Sequence, residues 1–393
     1  MITENKTIAV VGGGPGGLTL ARLLQMGGSQ VKVYERDFNK DVRVQGATLD
    51  LHEESGLEAL RRAGLMDAFY ASYRPHAGKL RVTDQHASMQ FDDHDSNELT
   101  ENRPEIDRGP LRDILIESLA DETIVWDSHF LSMQKRGEGW LLHFSNGSSA
   151  YADVVIAADG ANSRVRPYIT DIKPLYSGIT IMEGNLYNAD ANAPTLCKLT
   201  KGGKVFALGN EQSLILSAKG DGSLSFYTGL KVAEEWVDKC GISFANKEQV
   251  LNWFKDAFGL WSDVWQELFA SDELWFVPRP QYHYPTNQHW EPLPNLTMIG
   301  DAAHRMPPYA GEGVNMAMQD AMELATQLLS DEHATIIEAI TTFEKQMSRR
   351  AAEVTKMSLD STEMLHSKGA LNKLLDMFDA ISMILRKNNG SRQ

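Results

Sequence analysis

Between Gly12 and Gly17 the chain reads Gly-Gly-Gly-Pro-Gly-Gly, and Gly12, Gly14 and Gly17 stand in G-x-G-x-x-G spacing. That spacing serves phosphate chemistry. The first glycine permits a tight turn, the second lets backbone N–H groups approach a pyrophosphate, and the third allows a helix to pack on a strand. Pro15 stands inside the same loop. The flanks agree with this reading. The apolar run Ile8-Ala9-Val10-Val11 precedes the loop, a helical pattern from Leu18 to Leu24 follows it, and Val31-Lys32-Val33-Tyr34 forms a second strand ending in Glu35. A carboxylate there can accept both hydroxyls of an adenosine ribose, while phosphates sit at the positive end of the helix dipole.

Two further carboxylates stand where strands end. Asp153 to Ala158 reads as a buried parallel strand that delivers Asp159 and Gly160 to its carboxyl end, within a D-G-x-x-S-x-x-R pattern running to Arg166. Ligands of open α/β sheets collect at that edge. Leu296 to Ile299 leads in the same way to Gly300-Asp301, and Asp301 is placed to bond a sugar or sugar-alcohol hydroxyl. The loop Pro307-Pro308-Tyr309-Ala310-Gly311-Glu312-Gly313-Val314-Asn315 then brings bare backbone against something flat, with the N-terminus of a helix through Leu329 behind it. His304 fits shaping this loop better than acting as a base.

The elements around these motifs are those of a two-domain α/β chain. At 393 residues, 42% hydrophobic and 23% charged, the composition is that of an ordinary globular protein with ample core. Net charge −15 argues against nucleic acid or an anionic membrane as partner. Two distant cysteines, Cys197 and Cys240, suit a reducing cytoplasm and no metal site. No apolar run reaches membrane-spanning length. The expected architecture is a Rossmann-like domain over residues 1–75, 100–172 and 290–330. Residues 76–99 and 173–289, with period-2 stretches and Gly/Asn/Asp turns, would form an inserted antiparallel-sheet domain for the substrate. C-terminal helices would occupy 331–393, with a break at Lys368-Gly369.

The three motifs in this order resemble those of the single-component FAD-dependent monooxygenases of the para-hydroxybenzoate hydroxylase fold. Within that group, Tyr34-Glu35-Arg36-Asp37, Gly46 to His52 and Gly300 to Asn315 are most similar to the tetracycline-inactivating monooxygenases. The resemblance extends over nearly the whole chain. It implies that Glu35 and Arg36 hold the adenosine end of a non-covalent FAD. Arg43, Asp50 and Arg108 would contact the flavin or gate its movement. Asp301 would bind the ribityl chain, and Pro308, Gly311, Gly313, Val314 and Asn315 would line the isoalloxazine.

At the substrate wall the same matching places Glu183, Lys204 and Ser225, with Phe206 nearby, where the tetracycline enzymes carry Gln, Arg and His. A polycyclic enolic or phenolic substrate is therefore expected, with a tetracycline as one candidate. No side chain is expected to be catalytic, because the cofactor carries the oxygen chemistry and the protein orients substrate and excludes water. NADPH would bind transiently, since there is only one dinucleotide fingerprint, and the chain would act as a monomer. A flavin halogenase would need W-x-W-x-I-P, which is missing. A nicotinamide-dependent dehydrogenase would leave the Gly-Asp segment idle, and a non-enzymatic flavin binder would not oxidise NADPH.

Overall fold

The computed structural model describes residues 1–42, 46–94, 103–269, 271 and 274–390. Arg43, expected to contact the flavin, lies outside the described residues.

The β-branched run at Thr7–Val11 forms the central strand of a five-stranded sheet. Its order is Leu296–Met298, Val154–Ala157, Thr7–Val11, Gln30–Tyr34 and Ile124–Val125, and every pairing is parallel. Strands covered on both faces read as continuous apolar runs, as residues 8–11 and Val154–Ala157 do. Helices Pro15–Met26 and Gly313–Leu329 pack against each other over it. Gly16 makes that approach possible, since a Cβ there would lie 2.9 Å from the carbonyl oxygen of Ala317. A three-stranded antiparallel sheet, Phe130–Arg136, Gly139–Phe144 and Ser149–Ala152, flanks this domain. Phe144 stacks on Tyr34 at 4.7 Å between ring centroids.

The inserted sheet has seven strands, in the order Leu274–His283, Leu175–Leu186, Leu224–Lys231, Gln212–Ala218, Lys204–Gly209, Leu80–Asp84 and Met89–Asp92. All pairings are antiparallel except that of Lys204–Gly209 with Leu80–Asp84. Side chains alternate across a strand, so register assigns the two faces. Met182, Phe226, Leu216 and Val205 share one face and pack under Trp253, Phe254 and Trp265 from the short helices. The opposite face carries the row Phe206, Ile215, Tyr227, Glu183 and, beside it, Lys204, Ser217, Ser225, Asn185. A two-stranded ribbon, Thr48–Asp50 with Glu105–Asp107, lies against this second face. Lys204 pairs with Glu105, and Gly220 N donates to Asp107 Oδ2 at 2.9 Å.

Helix Ile336–Leu365 runs along the nucleotide domain, and Gly369, at φ +74°, separates it from helix Ala370–Gly390. Leu365 and Leu374 close a small core with Val82 and Leu208 of the inserted sheet. No helix among the described residues is long and apolar enough to cross a membrane.

Candidate functional site

Gly12 has φ +112°, and a Cβ on it would collide with the Ala158 carbonyl; one on Gly17 would collide with the Gly12 carbonyl. Gly14 faces open space. The first and third glycines are thus needed for packing, and the second leaves room for a ligand. Glu35, only 2% exposed, holds this loop from the next strand. Its Oε2 accepts from Gly13 N at 2.6 Å and its Oε1 from Asp37 N at 3.0 Å. Arg36 is exposed beside it, and Pro15 opens the helix.

Asp159 Oδ2 accepts from Arg164 N at 2.7 Å and Val165 N at 3.3 Å. Its Oδ1 has no hydrogen-bond partner, and burial raises its carboxyl above the ordinary value. Arg166 closes the same turn and reaches further. It donates to the carbonyls of Ala302 and Ala303 at 2.9 Å and to Gln288 Oε1 at 2.7 Å, and it lies 3.5 Å over the Tyr284 ring. Burial brings its pKa down to about 10. The arginine of the second motif therefore fastens it to the third.

Gly300, at φ 60° and ψ −143°, adopts a backbone conformation open essentially to glycine alone. Its N–H donates to Asp320 Oδ2 at 2.8 Å, and the same oxygen lies 2.6 Å from His304 Nε2. Arg350 Nη2 donates to Asp320 Oδ1 at 2.6 Å. Burial pushes the Asp320 carboxyl up, but His304 and Arg350 more than offset it and hold it below the usual range. Burial alone would lower His304, and the Asp320 carboxylate keeps it raised. His304 is thus an anchor of the loop. Asp301 reaches solvent from a recess, where burial raises its pKa against the opposing His304, Arg305 and Arg108.

Pro308, Gly311 and Gly313 are exposed along the loop, and a Cβ on Gly313 would meet nothing within 4 Å. Val314 is half-buried. Asn315 is fully buried, its Nδ2 donating to the Asp50 carbonyl at 2.9 Å and its Oδ1 accepting from His52 N at 3.0 Å. Asn315 thereby docks the segment bearing Asp50 onto the loop. Asp50 Oδ2 pairs with His52 Nε2 at 3.1 Å, and burial is outweighed by His52, Lys204 and Arg103, which keep the carboxyl lowered.

At the sheet wall, a Cβ on Gly46 would lie 3.4 Å from Glu183 Oε1, 3.6 Å from Arg108 Nε and 3.8 Å from the Tyr227 hydroxyl. Residues from both domains converge there. Glu183 is ion-paired with Arg279, and burial followed by the Glu183 charge pushes Tyr227 up to about 12. Lys204 is committed to Glu105, whose carboxyl burial raises. Ser225 is 3% exposed, with its hydroxyl enclosed and unpartnered. Phe206 is half-buried and packs against the small core at the C-terminal helix. The structure therefore brings Glu183 next to Gly46 and Arg108 and places Lys204 and Ser225 under the ribbon. Sequence reasoning missed Tyr227 and Asp320 as members of the site. Tyr227 could have been found from strand register, since it pairs with Glu183.

The geometry is that of a parallel α/β sheet with the glycine loop, Glu35 and the Gly-Asp segment each following the end of one of its strands. Residues 5–215 and 294–358 match the FAD binding domain family, and the chain belongs to that family. The expected para-hydroxybenzoate hydroxylase fold is the one found. Among curated relatives, the monooxygenase asqM of Emericella nidulans is 28% identical over 82% of this chain and 83% of its own. The 6-hydroxynicotinate 3-monooxygenase of Pseudomonas fluorescens is 26% identical over 92% of each. Among solved structures, Klebsiella pneumoniae HpxO with FAD and uric acid superposes with TM-score 0.73 at 20% identity, over 98% of this chain and 94% of that one. The tetracycline destructase Tet(55) superposes with TM-score 0.73 at 18% identity, over 92% and 90%. The protein is a member of an FAD-binding monooxygenase family.

Proposed function

We propose that this chain uses NADPH and O2 to insert one oxygen atom into a polycyclic aromatic or enolic small molecule. The observation that carries the reading is the convergence at Gly46, where Arg108 of the nucleotide domain meets Glu183 and Tyr227 of the inserted sheet. A ligand held there would lie between the sheet and the Pro308–Gly311 loop.

The residues present suit FAD. The open approach at Gly14, the Glu35 carboxylate, the unpaired oxygen of Asp159 and the recessed Asp301 supply donors and acceptors along one edge. Gly14 and the helix beginning at Pro15 would hold the pyrophosphate, Glu35 and Arg36 the adenosine end, and Asp301 the ribityl chain. Pro308, Gly311, Gly313 and Val314 would face the flat ring system, with Asp50 and Arg108 beside it. When bound, FAD supplies the redox chemistry, taking hydride from NADPH and activating O2. The protein's part is to orient the substrate carbon and exclude water. The positive end of helix Gly313–Leu329 would favour negative charge on a group bound at Gly313.

A tetracycline is one substrate of the proposed class, supported by the fold shared with Tet(55). The commitment of Lys204 to Glu105 and the enclosure of Ser225 favour another aromatic or polyketide metabolite, because neither side chain is free to grip a polar edge. The test is to follow NADPH oxidation and product mass with tetracyclines and with other polycyclic phenols. A gain of one oxygen coupled to NADPH use supports the reading. NADPH oxidation unaffected by every compound, with no oxygenated product, overturns it.

A further inference from the structure

The helix Ile336–Leu365 and its C-cap reach the segment from His304 to Gly311 directly at two places and once through Asp320. Arg350 holds Asp320, which holds His304. Ser358 Oγ donates to the Pro307 carbonyl at 2.5 Å. His366, at the C-cap, lies with Nε2 3.2 Å from the Tyr309 hydroxyl and 3.0 Å from Ser213 Oγ. Ser358 and His366 thus meet the loop at the C-terminal end of this helix, and Arg350 reaches it through Asp320.

The contacts at His366 fix its proton. Nδ1 lies 2.8 Å from the Thr362 carbonyl, which can only accept, so Nδ1 carries the hydrogen. Nε2 is then an acceptor, and the hydroxyls of Tyr309 and Ser213 must donate to it or to each other; they are 3.3 Å apart. Tyr309 comes from the loop, Ser213 from the inserted sheet and His366 from the helical segment, so three parts of the molecule share one buried acceptor. Burial agrees, taking His366 down to about 4 and leaving the ring neutral. The space has been kept clear, because a side chain at Gly229 would run into all three groups.

We propose that His366 is a positioning residue for the cofactor: through Tyr309 it fixes the loop that faces the flavin, with the helix Ile336–Leu365 as its brace. The proposal rests on the reading of Pro308–Gly313 as the flavin loop. It concerns how the ring system is held and assigns His366 no part in proton transfer. In water-excluded surroundings the loss of the acceptor leaves a buried hydroxyl unmatched, so the loop relaxes without the fold being lost.

The test uses the full-length apoprotein and FAD itself. Tyr309→Phe and His366→Leu should weaken FAD binding by about three- to tenfold and shift the visible absorption bands of the bound flavin. His366→Gln, which restores an acceptor, should recover both. Tyr309→Phe removes one oxygen atom only and should leave the melting temperature of the apoprotein near that of the parent. Unchanged FAD affinity and spectrum in Tyr309→Phe and His366→Leu would overturn the proposal, as would a His366→Gln variant no better than His366→Leu. If the parent protein takes up no FAD, the functional reading falls together with this one. If the parent binds FAD and the variants match it, this proposal alone fails.

Discussion

His304 Nε2 and Asp320 Oδ2 lie 2.6 Å apart with both side chains buried, and that oxygen also accepts the N–H of Gly300. One carboxylate on helix Gly313–Leu329 thus sets the turn that presents Asp301 and the start of the proline–glycine loop. Removing a single partner of a buried pair leaves an uncompensated charge.

Asp320→Asn is therefore expected to cost about 3–5 kcal/mol of stability, because Arg350 and His304 lose the charge they face. FAD affinity should fall along with it, since the turn carrying Asp301 loses its anchor. Denaturant midpoints and FAD titration check this. A stable variant with normal FAD affinity would show that the turn holds itself.

A buried carboxyl elsewhere gives a pH dependence. Glu344 accepts from Thr297 Oγ1 at 2.7 Å and Trp290 Nε1 at 3.0 Å, with no ion-pair partner among the described residues, and burial raises its pKa to about 7. Between the unfolded and folded values the native state holds a proton that the unfolded chain has lost. Its contribution is present below the ordinary glutamate value and lost as pH rises through about 7. Glu344→Gln is neutral at every pH and should gain roughly 3 kcal/mol over the parent at pH 8, with the gain shrinking toward pH 5. Melting temperatures of the pair across that range measure it; a difference independent of pH would refute it.

Asp301→Ala removes a charge-assisted acceptor in the recess. Its FAD affinity should fall about tenfold to a hundredfold, from a hydrogen bond of roughly 1.5–3 kcal/mol. Glu35→Ala should lose more, because its carboxylate also holds the N–H groups of Gly13 and Asp37 that shape the phosphate loop. Titration of both apoproteins with FAD checks the order. Unchanged affinity in both would put the cofactor elsewhere. The flavin released by acid from the parent should be complete, as expected of a non-covalent cofactor.

What could be read from sequence was whatever depends on local pattern. Gly12, Gly14 and Gly17 stand out because strand, turn and helix follow one another within thirty residues, and Asp159 and Asp301 because each ends an apolar run. The Asp320–Arg350 brace was not legible: both residues sit on ordinary amphipathic helices, and only tertiary packing brings them to Gly300. Tyr227 and Glu183 are far apart in sequence and meet through strand register, which alternation alone does not fix. Tyr309 and His366 meet across a helix end. Helix Arg108–Glu117 carries Pro110 in its first turn, where a missing N–H is tolerated. Segment Leu274–His283, rich in aromatics and proline, is an edge strand, where the missing N–H groups of Pro278 and Pro280 are harmless.

The last expectation separates two roles for Lys204. Matching by resemblance puts it at the substrate's polar edge, where Lys204→Ala would raise KM more than it lowers kcat by removing binding common to ground and transition states. The structure pairs it with Glu105, which is 3% exposed and has a second oxygen without a partner. As a clamp between the inserted sheet and the Thr48–Asp50 ribbon, Lys204 should cost about 3 kcal/mol when truncated to Ala. Burial already raises the Glu105 carboxyl, and losing the cation would raise it further. The deficit should therefore grow as pH rises through the folded-state pKa of Glu105, because deprotonation there strands a buried charge. Adding Glu105→Gln should recover most of the lost stability, since it removes the stranded charge with little change of shape. KM in that double variant then decides between the roles, once a substrate is in hand. A KM restored together with stability assigns Lys204 to the clamp. A KM that stays raised in a stable double variant assigns it to the substrate.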